Sequence, residues 1–545
     1  MIPRQWTEGS EEPAGSDPAL PFWRLPVNRL QWLPAGLGCV FYLQGRGSPL
    51  ALLLLSFGLP AVRFFLALHC RQQVRRRLRR LWDTLESYPL CRERLPWPGV
   101  LVTVVLPFGL LLLLRDYAIV SGDSRPAVLT ASALVTEGHA DIGQLVGRYS
   151  QLGMFAMDGG MPYFCRQTNA GVVSSYPLGM VPFVLPVAAA ARVFGADLDL
   201  PHVHDRLEKW TAAWIAAFSL GLFFLLALHV AEVQPAWMAT WILGTGSVFF
   251  TTIGQALWQH DGVILWSLIA LLIEFRAPER SGWMGTLLQG FAIGMMLPCR
   301  LSAVVFIVPF ALWVFLRTPV RALGVALFSG LTFVPWACLH VSIYGSVFGP
   351  STGQLAAGNW SPVSVSSLAG ILISPGRGIF VYQPWILLAV LHRLPVLRRK
   401  AAFRACRECP AGWTTFCLCA VVFQLALISS WKCWWGGYCW GSRLTAETIP
   451  LLALLCVRPI AMLWRTGVGQ RVVLAFAMLS LLMHVPAVYL RSAEWHGRRQ
   501  IDHHPERLWV WSDAPFLYPL WNYTLMPDSA AHRPDAAAKD TAVFR

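Results

Sequence analysis

Four polar clusters interrupt an otherwise apolar chain, and each carries residue types that do chemistry. The first is Ser121-Gly122-Asp123-Ser124-Arg125-Pro126, beyond a Leu-rich run that ends near Leu114. A carboxylate at the mouth of an apolar run, opening a polar segment over 121–175, suits a general base toward an acceptor hydroxyl. Asp is also a favoured helix N-cap, which is the other role open to Asp123. The second cluster is Gln259-His260-Asp261 at the start of another apolar run. An acid at that depth is costly without a partner, so Asp261 orients a polar substrate, pairs with an arginine, or caps the helix it begins. His260 fits a solvated interface histidine as well as a ligand. The third is Ser374-Pro375-Gly376-Arg377-Gly378, where flanking glycines allow close backbone approach and the guanidinium fork suits phosphate. It is not a Walker loop, and a turn anchored at lipid headgroups reads equally from it. The fourth runs from Trp431 to Arg443 and joins Trp434, Trp435 and Trp440 to two cations. It reads as an interfacial aromatic belt or as a sugar-stacking surface in which Trp435 meets a ring and Arg443 an anion. Arg300, just after Pro298, is a further phosphate candidate.

The elements that position these residues are membrane helices. The 545-residue chain is 55% hydrophobic, only 13% charged, with a mean hydropathy of +0.51. That is too little polar surface for a water-soluble globule of this size. Its formal charge of +15 comes from arginines in short runs between apolar stretches, which the positive-inside rule explains without nucleic acid. Stretches long enough to cross, at about 20 residues each, fall near 49–68, 98–117, 209–230, 236–256, 261–275, 283–299, 302–317, 320–342, 379–394, 413–431, 444–464 and 471–490. A shorter run at 31–43 predicts an interfacial helix or one more crossing. The expected fold class is therefore an all-α polytopic membrane protein of about 12–13 transmembrane helices. Residues 1–20 are polar and mildly acidic and predict no cleavable signal peptide.

Arginine clusters over 71–80 and 393–404 mark cytoplasmic loops and require an even number of crossings between them. Eight of these stretches satisfy this, and Tyr176 to Gly195 would make a ninth. Pro177, Pro182 and Pro186 interrupt it, so it is read as a juxtamembrane helix. The same parity puts Arg276, Arg317, Arg321 and Arg465 on the cytoplasmic side, at the cost of leaving Arg206 and Lys209 outside. It also gathers all four polar clusters on the opposite face. Within the loop, an amphipathic helix is expected over Ala127 to Val135. The expected organisation is a polar segment 1–48, a span with a basic loop 49–97, a transmembrane domain 98–490 containing the extracytoplasmic loop 121–208, and a solvated, loosely folded tail 491–545. Thirteen scattered cysteines give no disulfide framework, and the lone Cys406-to-Cys409 pair is a weak zinc motif. Sequons stand at Asn359 and Asn522.

An acidic residue in the first extracytoplasmic loop, a juxtamembrane helix in that loop, a second acidic residue after Ile253-Gly254 and many helices resemble the GT-C superfamily of integral-membrane glycosyltransferases. Its relatives include the lipid A aminoarabinose transferase and the protein O-mannosyltransferases. Tyr176-Pro177-Leu178-Gly179, Leu257-Trp258-Gln259-His260, Ser374 to Gly378, Trp435-Gly436-Gly437 and Gly441-Ser442-Arg443 are similar to bacterial membrane proteins of that type. The resemblance spans 98–490 as scattered short motifs. It implies an inverting transferase of the cell envelope and bacterial inner membrane, its site facing the periplasm or exterior. The implied donor is a polyprenyl-phosphate-linked sugar and the acceptor a glycan, lipid or protein, with membrane lipids as partners. Asp123 then falls at the catalytic position, and Asp261, His260, Arg377, Arg443, Arg300, Tyr176 and Trp435 are the substrate-binding candidates. No cofactor is implied with certainty, and a divalent metal is left open. The chain departs from the aminoarabinose transferase pattern of Asp-Glu and Lys-Pro, having Asp123-Ser124 and Tyr176-Pro177. The missing lysine leaves phosphate recognition to Arg377, Arg443 or Arg300. A transporter or lipid flippase is the rival reading, though no internal repeat is visible.

Overall fold

The computed structural model describes residues 97–114, 122–151, 161–276, 282–351, 357–391, 409–489 and 495–518. The run at 31–43, the span at 49–68, both arginine clusters, Cys406 and Asn522 lie outside the described residues. Within them the chain is an all-α bundle of apolar helices with a polar cap, the architecture of a polytopic membrane protein. The longer elements are α1 (Leu101–Leu112), α2 (Arg125–Thr136), α3 (Gly143–Gln151), α4 (Leu178–Val193), α5 (Pro201–Val230), α6 (Val233–Thr245), α7 (Gln259–Phe275) and α8 (Gly282–Gly294). They continue with α9 (Leu301–Arg317), α10 (Pro319–Tyr344), α11 (Val365–Ile373), α12 (Trp413–Ser429), α13 (Arg443–Trp464) and α14 (Gly467–Tyr489). One antiparallel hairpin, β1 (Cys165–Thr168) with β2 (Gly171–Ser174), lies in the cap, where the sequence pattern predicts no strand.

Four of these helices, α5, α10, α13 and most of α14, are long and apolar enough to cross a membrane. Helix α5 is sheathed by the others, whereas α10 exposes Leu323, Leu327, Leu331 and Val334. A stripe of that length on a water-soluble protein would be an aggregation site, and against lipid chains it is at home. Several expected spans are broken. The stretch 236–256 is α6 followed, after a bend, by a π-helical turn Phe249–Ile253. The stretch 283–299 is α8 followed by the short turn Met296–Cys299. The stretch 379–394 begins as the short turns Ile379–Tyr382, Pro384–Leu387 and Leu388–Leu391. Pro384 explains the last break, because the residue before a proline is driven out of the α region, and Gln383 has ψ 59°.

The ends of the helices sort into two groups. At one end, Glu274 of α7 is fully buried and accepts from Arg317 at 2.5 Å and Arg321 at 2.6 Å, while Arg321 also donates to Gln289. Arg465 pairs there with Glu232 at 3.6 Å, which brings a cation to the 230–233 connection, itself without a basic residue. At the other end lie Asp123, the turns at 254–261 and 299–303, and the loop 430–443. Arg125, at the start of α2, pairs with Asp205 and Glu208 in the first turns of α5. The chain entering α4 therefore meets the chain leaving it, and α4 begins and ends at this same end. Lys209 is buried rather than exposed, with Nζ donating to the Gly254 carbonyl at 3.0 Å and to the Gln255 side chain. It satisfies backbone exposed where the helix is interrupted, which an apolar surround demands.

Candidate active site

Asp123 owes its position to Arg125, two residues along the chain. The Arg125 guanidinium is buried, and donates to the Tyr149 hydroxyl at 3.2 Å as well as pairing with Asp205 and Glu208. His204 donates from Nε2 to the Leu198 carbonyl at 2.6 Å, so its Nδ1 is left to accept from the Tyr149 hydroxyl at 2.8 Å. This strut fixes the start of α2 against α3 and α5 and leaves Asp123 facing the other way. The N-cap of α2 is Ser124. The Asp123 side chain retains 22% exposure, and accepts from the Tyr176 hydroxyl at 2.5 Å, the Tyr163 hydroxyl at 3.3 Å and Arg443 Nη1 at 3.1 Å. Its carbonyl accepts from the Gln259 side chain at the start of α7. Gly122 lies close beneath this group, and a Cβ there would stand 2.2 Å from the Tyr163 hydroxyl and displace it.

Burial pushes the Asp123 carboxyl up, but Arg443, the Tyr176 hydrogen bond and Arg300 together outweigh it and hold the group below the ordinary aspartate range. Burial and the adjacent carboxylate push the Tyr176 phenol well up, so it remains a donor.

Arg443 opens α13. Its Nη2 donates to the Gly436 carbonyl at 2.8 Å, and its guanidinium lies 4.2 Å from the ring centre of Trp258, a cation–π contact. Four residues on, Glu447 is buried and accepts from His260 Nδ1 at 3.0 Å and from Ser302 at 3.0 and 3.1 Å. Arg300 Nε lies 3.1 Å from Glu447 and donates to Ser302 at 2.7 Å. Arg300 is thus anchored by Nε alone. Its terminal nitrogens make no hydrogen bond among the described residues, and its side chain is 30% exposed. Two carboxylates and two arginines alternate in one cluster, and one arginine keeps its terminal donors open. Among the described residues no group of three or more His, Cys, Asp or Glu side chains is arranged to hold a metal ion.

Asp123, Tyr176, Arg443, Arg300 and His260 are therefore brought together, from five separate segments of chain. Four expectations need correction. Asp261 is fully buried, and among the described residues neither carboxylate oxygen has a hydrogen-bond partner and no arginine pairs with it. The helix starts at Gln259, two residues earlier than expected, which turns Asp261 away from the cluster toward Cys299. Arg377 is buried and commits four of its five N–H donors to the carbonyls of Gly376, Trp435 and Gly437 and to His496, so it holds the chain around it rather than standing open to a phosphate. Trp435 gives its indole N–H to Asp502 at 2.9 Å and lies with Arg377 rather than with Asp123. The tail is not loosely folded over 495–518: Trp495, Ile501, Leu508 and Tyr518 form a small core, and Leu508 accepts from Gly376 N–H at 3.0 Å.

Sequence reading missed Glu447, Tyr163 and Ser302. Glu447 had a signal: an acid inside an apolar stretch, four residues after a candidate arginine.

No family model matches the chain, and no curated protein matches it. Among solved structures it is similar to the crystal structure of ArnT from Cupriavidus metallidurans bound to undecaprenyl phosphate. The two are 14% identical, with a TM-score of 0.42, over 77% of this chain and 75% of that one.

Proposed function

We propose that the chain is an inverting membrane glycosyltransferase that moves a sugar from a polyprenyl-phosphate-linked donor to an acceptor hydroxyl or amine. The observation that carries this reading is Arg300, whose open terminal nitrogens lie in the same cluster as an ionised Asp123 and as Arg443. The acceptor atom attacks the anomeric carbon as the bond from that carbon to the phosphate oxygen breaks. The bonding pair leaves with the lipid phosphate, where Arg300 and Arg443 stabilise it. The acceptor proton passes to Asp123, which is ionised at neutral pH and needs to accept it only as the new bond forms. Phosphate is a competent leaving group, so no general acid is required. Tyr176 and Tyr163 hold the carboxylate, and the exposed Tyr163 ring borders the acceptor's approach.

On this reading the protein sits in a bacterial cytoplasmic membrane, and the basic connections at the far end of the bundle support an outward-facing cluster. Transport is less well supported, because the charged groups described above gather at the two ends of the bundle instead of following a path through it. The test is reconstituted protein with radiolabelled polyprenyl-phosphate sugars, scored by release of polyprenyl phosphate with sugar transfer. Asp123→Asn is expected to lower turnover by about 10²–10⁴ while leaving the purified protein's elution and melting unchanged; turnover near wild type would refute the assignment.

A further inference from the structure

The loop from Cys433 to Ser442 carries no regular secondary structure and uses left-handed glycines at Gly436, Gly437 and Gly441 (φ 75°, 67° and 57°). No helix or sheet ladder fixes it, yet it meets Arg443 through the Gly436 carbonyl. Its neighbouring carbonyls are taken by one side chain from elsewhere: Arg377 donates from Nε to Trp435 at 2.8 Å and from Nη2 to Gly437 at 3.0 Å. Arg377 is itself locked. Nη2 donates to His496 Nδ1 at 3.0 Å, and the guanidinium lies 5.7 Å from the ring centre of Trp495. Since arginine cannot accept, His496 Nδ1 carries the lone pair, and Nε2–H donates to Asp502 at 3.1 Å. Asp502 accepts the Trp435 indole N–H at 2.9 Å, which closes a ring: Trp435 carbonyl, Arg377, His496, Asp502, Trp435 indole. The Tyr438 ring stands 4.3 Å from His496, and a Cβ on Gly497 would meet the Tyr438 hydroxyl at 2.9 Å.

We infer that the segment 495–518 is a clamp on the loop 433–442, in which Arg377 and His496 are positioning residues that hold Gly436, and through it Arg443, against Asp123. The clamp stands on its own geometry; only the consequence for catalysis rests on the function proposed above. The loop carries its own reporter. Cys439 is half-buried and its thiol bonds the carbonyls of Trp435 and Gly441, whereas Cys433 is exposed and Cys417 lies buried in α12.

The experiment measures N-ethylmaleimide alkylation of each thiol by peptide mass spectrometry on the full chain in micelles. In the wild type Cys433 is expected to react fast, Cys439 slowly and Cys417 not at all. In Arg377→Gln and His496→Ala, Cys439 is expected to react about tenfold faster or more, because breaking charge-assisted hydrogen bonds raises the open population by that order, with Cys417 still protected. Asp502→Asn, which keeps Arg377 and His496 in place, gives a smaller increase and serves if either other variant fails to fold, as exposure of Cys417 would reveal. A Cys439 rate within twofold of wild type in the folded variants overturns the clamp whatever the activity. With labelled polyprenyl-phosphate sugar, Arg377→Gln is expected to raise the donor KM and lower kcat. Faster Cys439 alkylation with both constants unchanged overturns the positioning of Arg443. If wild-type protein turns over no such donor, the proposed function fails and the alkylation result still decides the clamp.

Discussion

Replacing Glu447 by Gln separates the charge of this residue from its shape. The carboxylate is 2% exposed and holds Ser302, His260 and Arg300. A glutamine can keep its Oε1 toward His260 and Arg300 and turn its amide toward Ser302, whose hydroxyl can rotate to accept. The hydrogen bonds survive in number, and the charge assistance to Arg300 Nε is lost. Breaking a buried ion pair by removing one partner typically costs 3–5 kcal/mol, but Arg300 is partly hydrated and the neutral amide is cheaper to bury, so about 2 kcal/mol is expected. Glu447→Ala also strands the buried His260 donor, and about 4 kcal/mol is expected there. For a phosphate donor two effects oppose. Losing the carboxylate removes repulsion worth about 0.5–1 kcal/mol in a partly wet site. Losing the anchor frees Arg300 and weakens charge-assisted hydrogen bonds worth about 1.5–3 kcal/mol. The second is larger, so the donor KM in Glu447→Gln rises by about tenfold. Stability is read by denaturing-detergent titration of the micellar protein, and KM by donor titration on proteoliposomes. A donor KM that falls or stays unchanged would show that Glu447 does not aim Arg300 at phosphate.

Tyr176→Phe removes the 2.5 Å hydrogen bond that favours the ionised Asp123. The carboxyl then titrates at higher pH, so the acid limb of the pH–rate profile moves up; an unmoved limb, with turnover otherwise normal, would mean that Asp123 does not govern it. The clamp has its own pH dependence. Burial, then the charge of Arg377, lower His496 from 6.5 to about 4, while Asp502 opposes the shift. The other groups facing it are Tyr438 and the charge of Arg443. The folded form resists the proton that the unfolded form takes up, so stability is intact above about pH 6.5 and falls toward pH 4, by on the order of 3 kcal/mol. Asp502, whose own carboxyl is depressed, adds its loss at lower pH still. Melting temperatures of wild type and His496→Asn should diverge across that window, and parallel curves would refute the account.

The helical architecture and the gathering of the polar clusters were legible because both follow from length, hydropathy and arginine placement, which act over whole segments. Asp123, Tyr176 and Arg443 were legible as residue types out of place beside apolar runs. Asp261 was misread because its direction depends on where α7 begins, and a shift of two residues rotates a side chain by more than half a turn of the helix. The strut beneath Asp123 was not legible at all: Arg125, Asp205 and Glu208 pair across eighty residues, and nothing local to any of them announces the partner.

Arg300 and Arg377 show what sequence could not resolve. Both are lone arginines beside prolines or glycines at the same end of the bundle, and both satisfy the same phosphate argument. They differ in how many donors the fold consumes. Arg377 gives its donors to three carbonyls and a histidine and is 2% exposed, so binding an anion would mean dismantling the loop it holds. Arg300 gives only Nε, to a serine and a buried carboxylate, and its terminal nitrogens make no hydrogen bond among the described residues. An arginine that fixes backbone and one whose terminal nitrogens are partly exposed obey the same rule, that buried donors must be satisfied. Only the second leaves donors open to a molecule that is not part of the chain. The two roles are also coupled here, since the loop that Arg377 fixes presents Gly436 to Arg443, the other cation of the cluster. The fold thus commits one arginine to order so that two others can be held ready beside Asp123.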